Sequence, residues 1–258
     1  MRKTFRAITF LVAVAVLSAC NAGTGKGASD VSSSPESQNT ITVFAASSLT
    51  KSFTEIGKQF EAENPGLKVV FSFGASSTLA EQINSGAPAD VFASASKKSI
   101  DSVAALIPNS KVFATNRVVV AYPVAKPLKE IADLNNPAIK WVQCDHQVPC
   151  GTAADAALTA DGVTGTPVSL EPDVKSVTGK LTALEVDAAI IYATDVKSSG
   201  SDFAALEFSN QEKATTKYPI GVTLSAKSKA QAFVDFVFSG AGRKVLGQAG
   251  FGGLYTGG

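Results

Sequence analysis

Ile41-Thr42-Val43-Phe44-Ala45-Ala46-Ser47-Ser48-Leu49 is the stretch from which the rest of the chain can be read. The apolar run Ile41 to Ala46 predicts a buried strand. It breaks into two adjacent hydroxyls, and a helical pattern follows at once. Leu49, Phe53, Ile56 and Phe60 recur at helical spacing and form one apolar stripe. Asn64-Pro65-Gly66 then stops the helix. A helix start leaves backbone N–H groups unpaired and carries a partial positive charge, so it can seat an anion. Serines at such a place also act as ordinary caps. The stretch alone leaves both readings open, and recurrence elsewhere must decide.

The device recurs. Leu67 to Phe73 predicts a second strand, which ends in Gly74-Ala75-Ser76-Ser77-Thr78 before a short helix with Leu79 and Ile83. Ala89 to Ala95 reads as a third strand with Asp90 near its start, and Ile100, Val103 and Leu106 suggest a helix. Val112 to Tyr122 is a long apolar run interrupted by Asn116 and Arg117. Pro123 and Pro127 mark the passage into a second region. There Ile139 to Cys144 predicts a strand, and Val148-Pro149-Cys150-Gly151-Thr152 a turn that Thr152 could cap before the helix Ala153–Thr159. Glu171-Pro172-Asp173-Val174 repeats the pattern with a capping aspartate, before a helix from about Lys175 to Glu185. Ala188 to Ile191 is a short buried strand with Tyr192 at its edge, and Tyr218 to Leu224 a strand returning to the first region. Alternating strands and helices imply βα units and a mainly parallel sheet, with ligands beyond the carboxyl ends of the strands. The chain thus reads as two α/β lobes, 40–120 plus 219–258 and 121–218. Two extended crossovers join them, near residues 118–122 and 218–223. A cleft between lobes is a frequent small-ligand site.

The 258 residues are 45% hydrophobic and 17% charged, enough for two small cores. Arg2, Lys3 and Arg6 precede an apolar run from Ile8 to Leu17, shaped like a secretory signal and too short to span a bilayer. Leu17-Ser18-Ala19-Cys20 resembles the lipobox of bacterial lipoproteins. That resemblance implies a signal peptide over 1–19, cleavage before Cys20, a diacylglycerol on its sulfur and an extracytoplasmic, membrane-anchored protein. Residues 20–39 are rich in Gly and Ser without apolar periodicity and read as a flexible tether. Without residues 1–19 the chain has 20 basic against 22 acidic residues. That balance argues against a nucleic-acid binder, which needs a basic stripe.

Cys144 and Cys150 remain, with five residues between them. Outside the cytoplasmic membrane they are most simply a disulfide closing a small loop. A redox pair or a metal site are the alternatives. The spacing misses the two-residue gap of thioredoxin-like motifs, and His146 is the sole histidine.

Ile41 to Leu49, Phe73-Gly-Ala-Ser-Ser-Thr-Leu79, Gly86-Ala-Pro-Ala-Asp-Val-Phe92, Val148-Pro-Cys-Gly151 and Ile190-Ile-Tyr-Ala-Thr-Asp195 together resemble the molybdate-binding proteins of bacterial ABC importers. The likeness runs in order from about Thr40 to Phe251. It implies a type II periplasmic-binding-protein fold whose two lobes close on molybdate or tungstate. It also implies a membrane permease as partner, a monomer, no cofactor and no catalysis. In that family hydroxyls and backbone N–H groups hold the oxyanion, with no cationic side chain touching it. By motif match, Ser48 and Ser76 are the first-lobe donors. The N–H groups of Cys150 and Val174 and the Tyr192 hydroxyl are the second-lobe donors. The departure is Cys150, where many relatives have alanine; only its N–H is required. No obvious carboxylate joins this set, Asp173 and Asp195 being the nearest in sequence.

Rival readings fit less well. A serine hydrolase needs a base near its serine, yet His146 sits beside the cysteines, and no Gly-x-Ser-x-Gly elbow appears. An amino-acid receptor would pair an arginine with the ligand carboxylate, and Arg117 is the one mid-chain arginine. A ferric-ion receptor would cluster tyrosines, and the chain has four. A receptor for another tetrahedral oxyanion, sulfate or thiosulfate, is the closest competitor.

Overall fold

Strand β1 (Thr40–Ala46) sends alternate side chains to opposite faces, and the two faces meet different cores. Ile41, Val43 and Ala45 join one cluster; Phe44 joins another. The first cluster is completed by the apolar stripe of α1 (Thr50–Glu63), where Phe53 packs on Phe113 and Phe233 with ring centroids 5.7 and 6.1 Å apart. The second is covered by α2 (Ser76–Asn84) and α3 (Lys97–Asp101) through Leu79, Ile83 and Ile100. These observations come from a computed structural model, which describes residues 39–227 and 229–253. The expected signal peptide, the expected lipidation site Cys20 and nearly all of the expected tether lie outside the described residues.

The remaining strands are β2 (Lys68–Gly74), β3 (Val91–Ala93), β4 (Ser110–Pro123), β5 (Trp141–Cys144), β6 (Ser169–Glu171), β7 (Ala188–Tyr192), β8 (Phe203–Leu206) and β9 (Thr215–Val222). Their order is β2-β1-β3-β9-β4-β7-β5-β6, with β8 also paired to β4. Parallel pairing is confined to the βα units: β1 with β2 and β3, and β5 with β6 and β7. Every pairing made by β4 or β9 is antiparallel, because these two strands carry the chain out of the first half and back again.

β4 serves both halves. From Ser110 to Arg117 it pairs with β9, and from Val118 onward with β7 and β8. A third core holds the second half and draws its buried members from Val118 to Ala214. The chain therefore changes halves at Arg117–Val118 and again near Thr215. The return comes a few residues before the apolar run at 218–223, because polar Thr215, Thr216 and Lys217 pair through their backbones.

The second half adds α4 (Pro149–Ala160), α5 (Val174–Thr182), α6 (Ala193–Ser198) and α7 (Gln211–Ala214). Helices α8 (Ala230–Phe238) and α9 (Gly240–Ala249) close the first half. Helix α4 begins at Pro149, earlier than the sequence suggested. Thr152 is therefore not its cap; its hydroxyl donates back to the carbonyls of His146 and Val148. Asp173 does cap α5, accepting from the N–H groups of Lys175 and Ser176.

Candidate functional site

Five chain segments that each turn from extended backbone into a helical turn point at one space between the halves. Ser48 is the middle residue of a 3-10 turn (Ser47–Leu49) that runs directly into α1. Ser76 is the first residue of α2, Cys150 the second of α4, Val174 the first of α5, and Tyr192 immediately precedes α6. N–H groups at the first helical positions have no upstream carbonyl within the helix to pair with. All five residues line a single small cavity, walled by Ala46, Ser47, Gly74, Ala75 and Ala95 on one side and by Val148, Pro149 and Asp173 on the other.

Neither serine works as a cap. The turn before α1 and the start of α2 are preceded by Ala46 and Ala75, which offer no side-chain acceptor. The Ser76 hydroxyl instead accepts from the N–H of Ala95 at 2.9 Å, which leaves its own proton free to be donated. Ser48 Oγ lies 2.8 Å from the hydroxyl of Tyr218, a fully buried residue of β9. Tyr192 is 1% exposed, and its hydroxyl has no partner within hydrogen-bonding distance, although Tyr218 and Thr216 stand close enough to influence its ionisation. Burial, and secondarily Tyr218, hold that phenol well above its usual range. It is therefore a neutral O–H beside Tyr218 and Thr216 without a well-formed hydrogen bond to either, a costly state unless a ligand accepts its proton.

The turn carrying Cys150 is held from three sides. Its sulfur is bonded to Cys144 at the end of β5. Pro149 occupies the first helical position, where its fixed φ fits and its missing N–H costs nothing. Gly151 packs so closely that a Cβ there would clash with the carbonyls of Asp145 and Cys144. The sole histidine, His146, stands outside this wall with Nδ1 2.7 Å from Asp155.

No lysine, arginine or histidine lines the cavity. A carboxylate does reach its edge: Asp173, whose Oδ1 is already committed to capping α5. Asp195 lies behind Tyr192 in a neighbouring pocket, 2% exposed, with Oδ1 2.9 Å from Lys175 Nζ and Oδ2 unpaired. Burial raises its carboxyl pKa, and Lys175 only partly opposes this. Among the described residues there is no group of three or more His, Cys, Asp or Glu side chains that could hold a metal ion. The geometry is that of a small, preset cage of neutral donors, suited to an ion that only accepts hydrogen bonds.

Sequence reasoning alone did not single out Tyr218. It lies 170 positions from Ser48 and reads locally as the first residue of an apolar strand. The available signal was its chemistry, since a buried tyrosine needs a partner for its O–H.

The profile of the bacterial extracellular solute-binding protein family matches residues 41–252. The molybdate-binding protein ModA of Mycobacterium tuberculosis is 38% identical over 245 residues, covering 92% of this chain and 93% of the relative. Among solved structures, the periplasmic molybdate-binding protein of Azotobacter vinelandii superposes with a TM-score of 0.71 at 18% identity, covering 82% of this chain and 98% of that one. The sulfate-binding protein SubI of M. tuberculosis superposes equally well, with a TM-score of 0.72 at 16% identity over 83% of this chain and 86% of that one. At such identities the superpositions speak for the periplasmic-binding-protein fold and leave the ligand open. The profile match and the 38% identity over nearly the whole chain go further: this chain belongs to the bacterial extracellular solute-binding proteins, a non-enzymatic family, alongside the molybdate-binding proteins ModA.

Proposed function

We propose that the chain captures molybdate, and tungstate with it, in the cavity between its halves and delivers it to the membrane permease of an ABC transporter. The observation that carries this reading is the convergence of Ser48, Ser76, Cys150, Val174 and Tyr192 on one cavity without a cation. A dianion leaving water loses solvation worth tens of kcal/mol for a bare buried charge. Charge-assisted hydrogen bonds, each worth about 1.5–3 kcal/mol net, and the ends of α1, α2, α4 and α5 offset that loss. Donors drawn from both halves make closure depend on the ion. Because no full positive charge attracts every anion alike, size and protonation select. Sulfate has the same charge but shorter bonds, so its oxygens would miss part of the cage. Monohydrogen phosphate brings a proton that needs an acceptor, and Asp173, with Oδ1 engaged by the α5 N–H groups, is the one carboxylate at the cavity's edge.

The Leu17-Ser18-Ala19-Cys20 motif supports an anchor: residues 1–19 as signal, lipid on Cys20, and a tether to residue 39 that leaves the binding domain beside the permease. Titration calorimetry with molybdate, tungstate, sulfate, phosphate and vanadate tests the ligand assignment. Molybdate and tungstate should bind at micromolar concentration or tighter, about −8 kcal/mol or better. Sulfate binding as tightly as molybdate would move the protein to the sulfate receptors.

A further inference from the structure

We infer that Tyr218 is a positioning residue for the oxyanion: its hydroxyl donates to Ser48 and thereby commits the Ser48 proton to the ligand. The inference rests on the proposed oxyanion reading of the cavity and adds a residue from outside its walls. A serine hydroxyl has one proton and two lone pairs, and it can turn either toward a neighbour. A molybdate oxygen can only accept. If Ser48 is to donate into the cavity, its contact with Tyr218 at 2.8 Å has to be one that it receives.

The companion serine shows the same arrangement with no ambiguity. Ser76 Oγ accepts from a backbone N–H, that of Ala95, which has no other role open to it. Ala95 and Tyr218 are thus equivalent: each fills a serine lone pair and turns the serine proton outward. Tyr218 is well built for the task. It is fully buried, with its ring wedged edge-on against Phe113, Tyr192 and Phe251 at centroid distances of 6.2, 6.1 and 5.4 Å. Burial holds its phenol above the usual range, so it keeps the proton it must give. The bond with Ser48 opposes that rise, and so, less strongly, does Asn116 of β4 beside the same hydroxyl, whose amide nitrogen donates to Thr194 Oγ1 at 2.9 Å.

The test is a double-mutant cycle read by molybdate calorimetry. Tyr218→Phe keeps the ring and its packing but removes the donor, and it should weaken molybdate binding about tenfold. Ser48→Ala should weaken it at least as much. In the Ser48→Ala background, Tyr218→Phe should cost no more than about twofold further, because the serine hydroxyl that it orients is gone. Equal losses in both backgrounds would make Tyr218 a packing residue and overturn the inference while leaving the oxyanion reading intact. A Ser48→Ala chain that binds like the parent would remove the oxyanion from this cavity instead. Should Tyr218→Phe fail to fold, the unaltered chain supplies the answer by NMR with molybdate bound. The proton in the Ser48–Tyr218 bond should belong to Tyr218, and finding it on Ser48 would overturn the proposal.

Discussion

Lys51 Nζ of α1 donates to the backbone carbonyl of Ser198 at the end of α6, 3.0 Å away, and so ties the first half of the molecule to the second beside the cavity. The contact is exposed, so it contributes at most about 1 kcal/mol. We predict that Lys51→Met weakens molybdate binding by no more than about fivefold, and does so through faster release. Stopped-flow dissociation checks this. An unchanged release rate would mean that closure does not use the contact.

Tyr192→Phe should move affinity and stability in opposite directions. The hydroxyl is buried with no protein partner, so removing it should stabilise the ligand-free chain by about 1 kcal/mol. Molybdate binding should fall by tenfold or more, because the ion loses a donor that faces it. Melting curves with and without molybdate report both effects. A variant that is less stable without ligand and binds normally would show that the hydroxyl serves the fold.

Reduction of the Cys144–Cys150 bond tests whether it steadies the turn that presents the Cys150 N–H. The loop is small, so its opening should cost about 2 kcal/mol of stability. Molybdate affinity should fall with it, since a loosened turn must be reordered on binding. Calorimetry before and after reduction, with free thiols counted, decides the matter. Equal affinities with the bond demonstrably open would separate the disulfide from binding.

Asp195→Asn should make stability less dependent on pH. Burial raises the Asp195 carboxyl, so the folded chain holds this proton more tightly than the unfolded one does. The stability this group contributes is complete below its ordinary value near 4 and is lost as pH rises through the folded value. Asparagine imitates the neutral form. The variant should match the parent in acid and exceed it at neutral pH by about 1 kcal/mol. Glu171 and Glu207, both held below their usual range, act in the reverse sense, but equally in both chains. Parallel stability curves for the two chains would show that Asp195 carries no such penalty.

The parts of the fold that were legible in the sequence are those whose signal is local. The stripe Leu49, Phe53, Ile56 and Phe60 has a single period, and all four side chains are buried. Asp173 stands before a helix, and it caps one. The shorter elements left no such mark. Ser169-Leu170-Glu171 is a three-residue strand, and Phe203 to Leu206 a four-residue one, each too brief for alternation to register. Ser48 and Ser76 were readable as helix-start hydroxyls, but not the reason they fail to cap. That depends on Tyr218 and Ala95, which only the tertiary fold brings near. The pairing of Asp195 with Lys175 is of the same kind, joining α6 to α5 across 20 positions.

The connectivity through β4 also sets an order of assembly. The core between Val118 and Ala214 is an insertion, complete in itself, within a half that needs both Ile41 and Phe251. A chain emerging amino terminus first has all of the inner core in hand while the outer one still waits for β9, α8 and α9. A polypeptide halted at Ala214 would therefore hold one finished nucleus and two unpaired strand edges, at β3 and along Ser110 to Arg117 of β4, exposed to any strand that could pair with them.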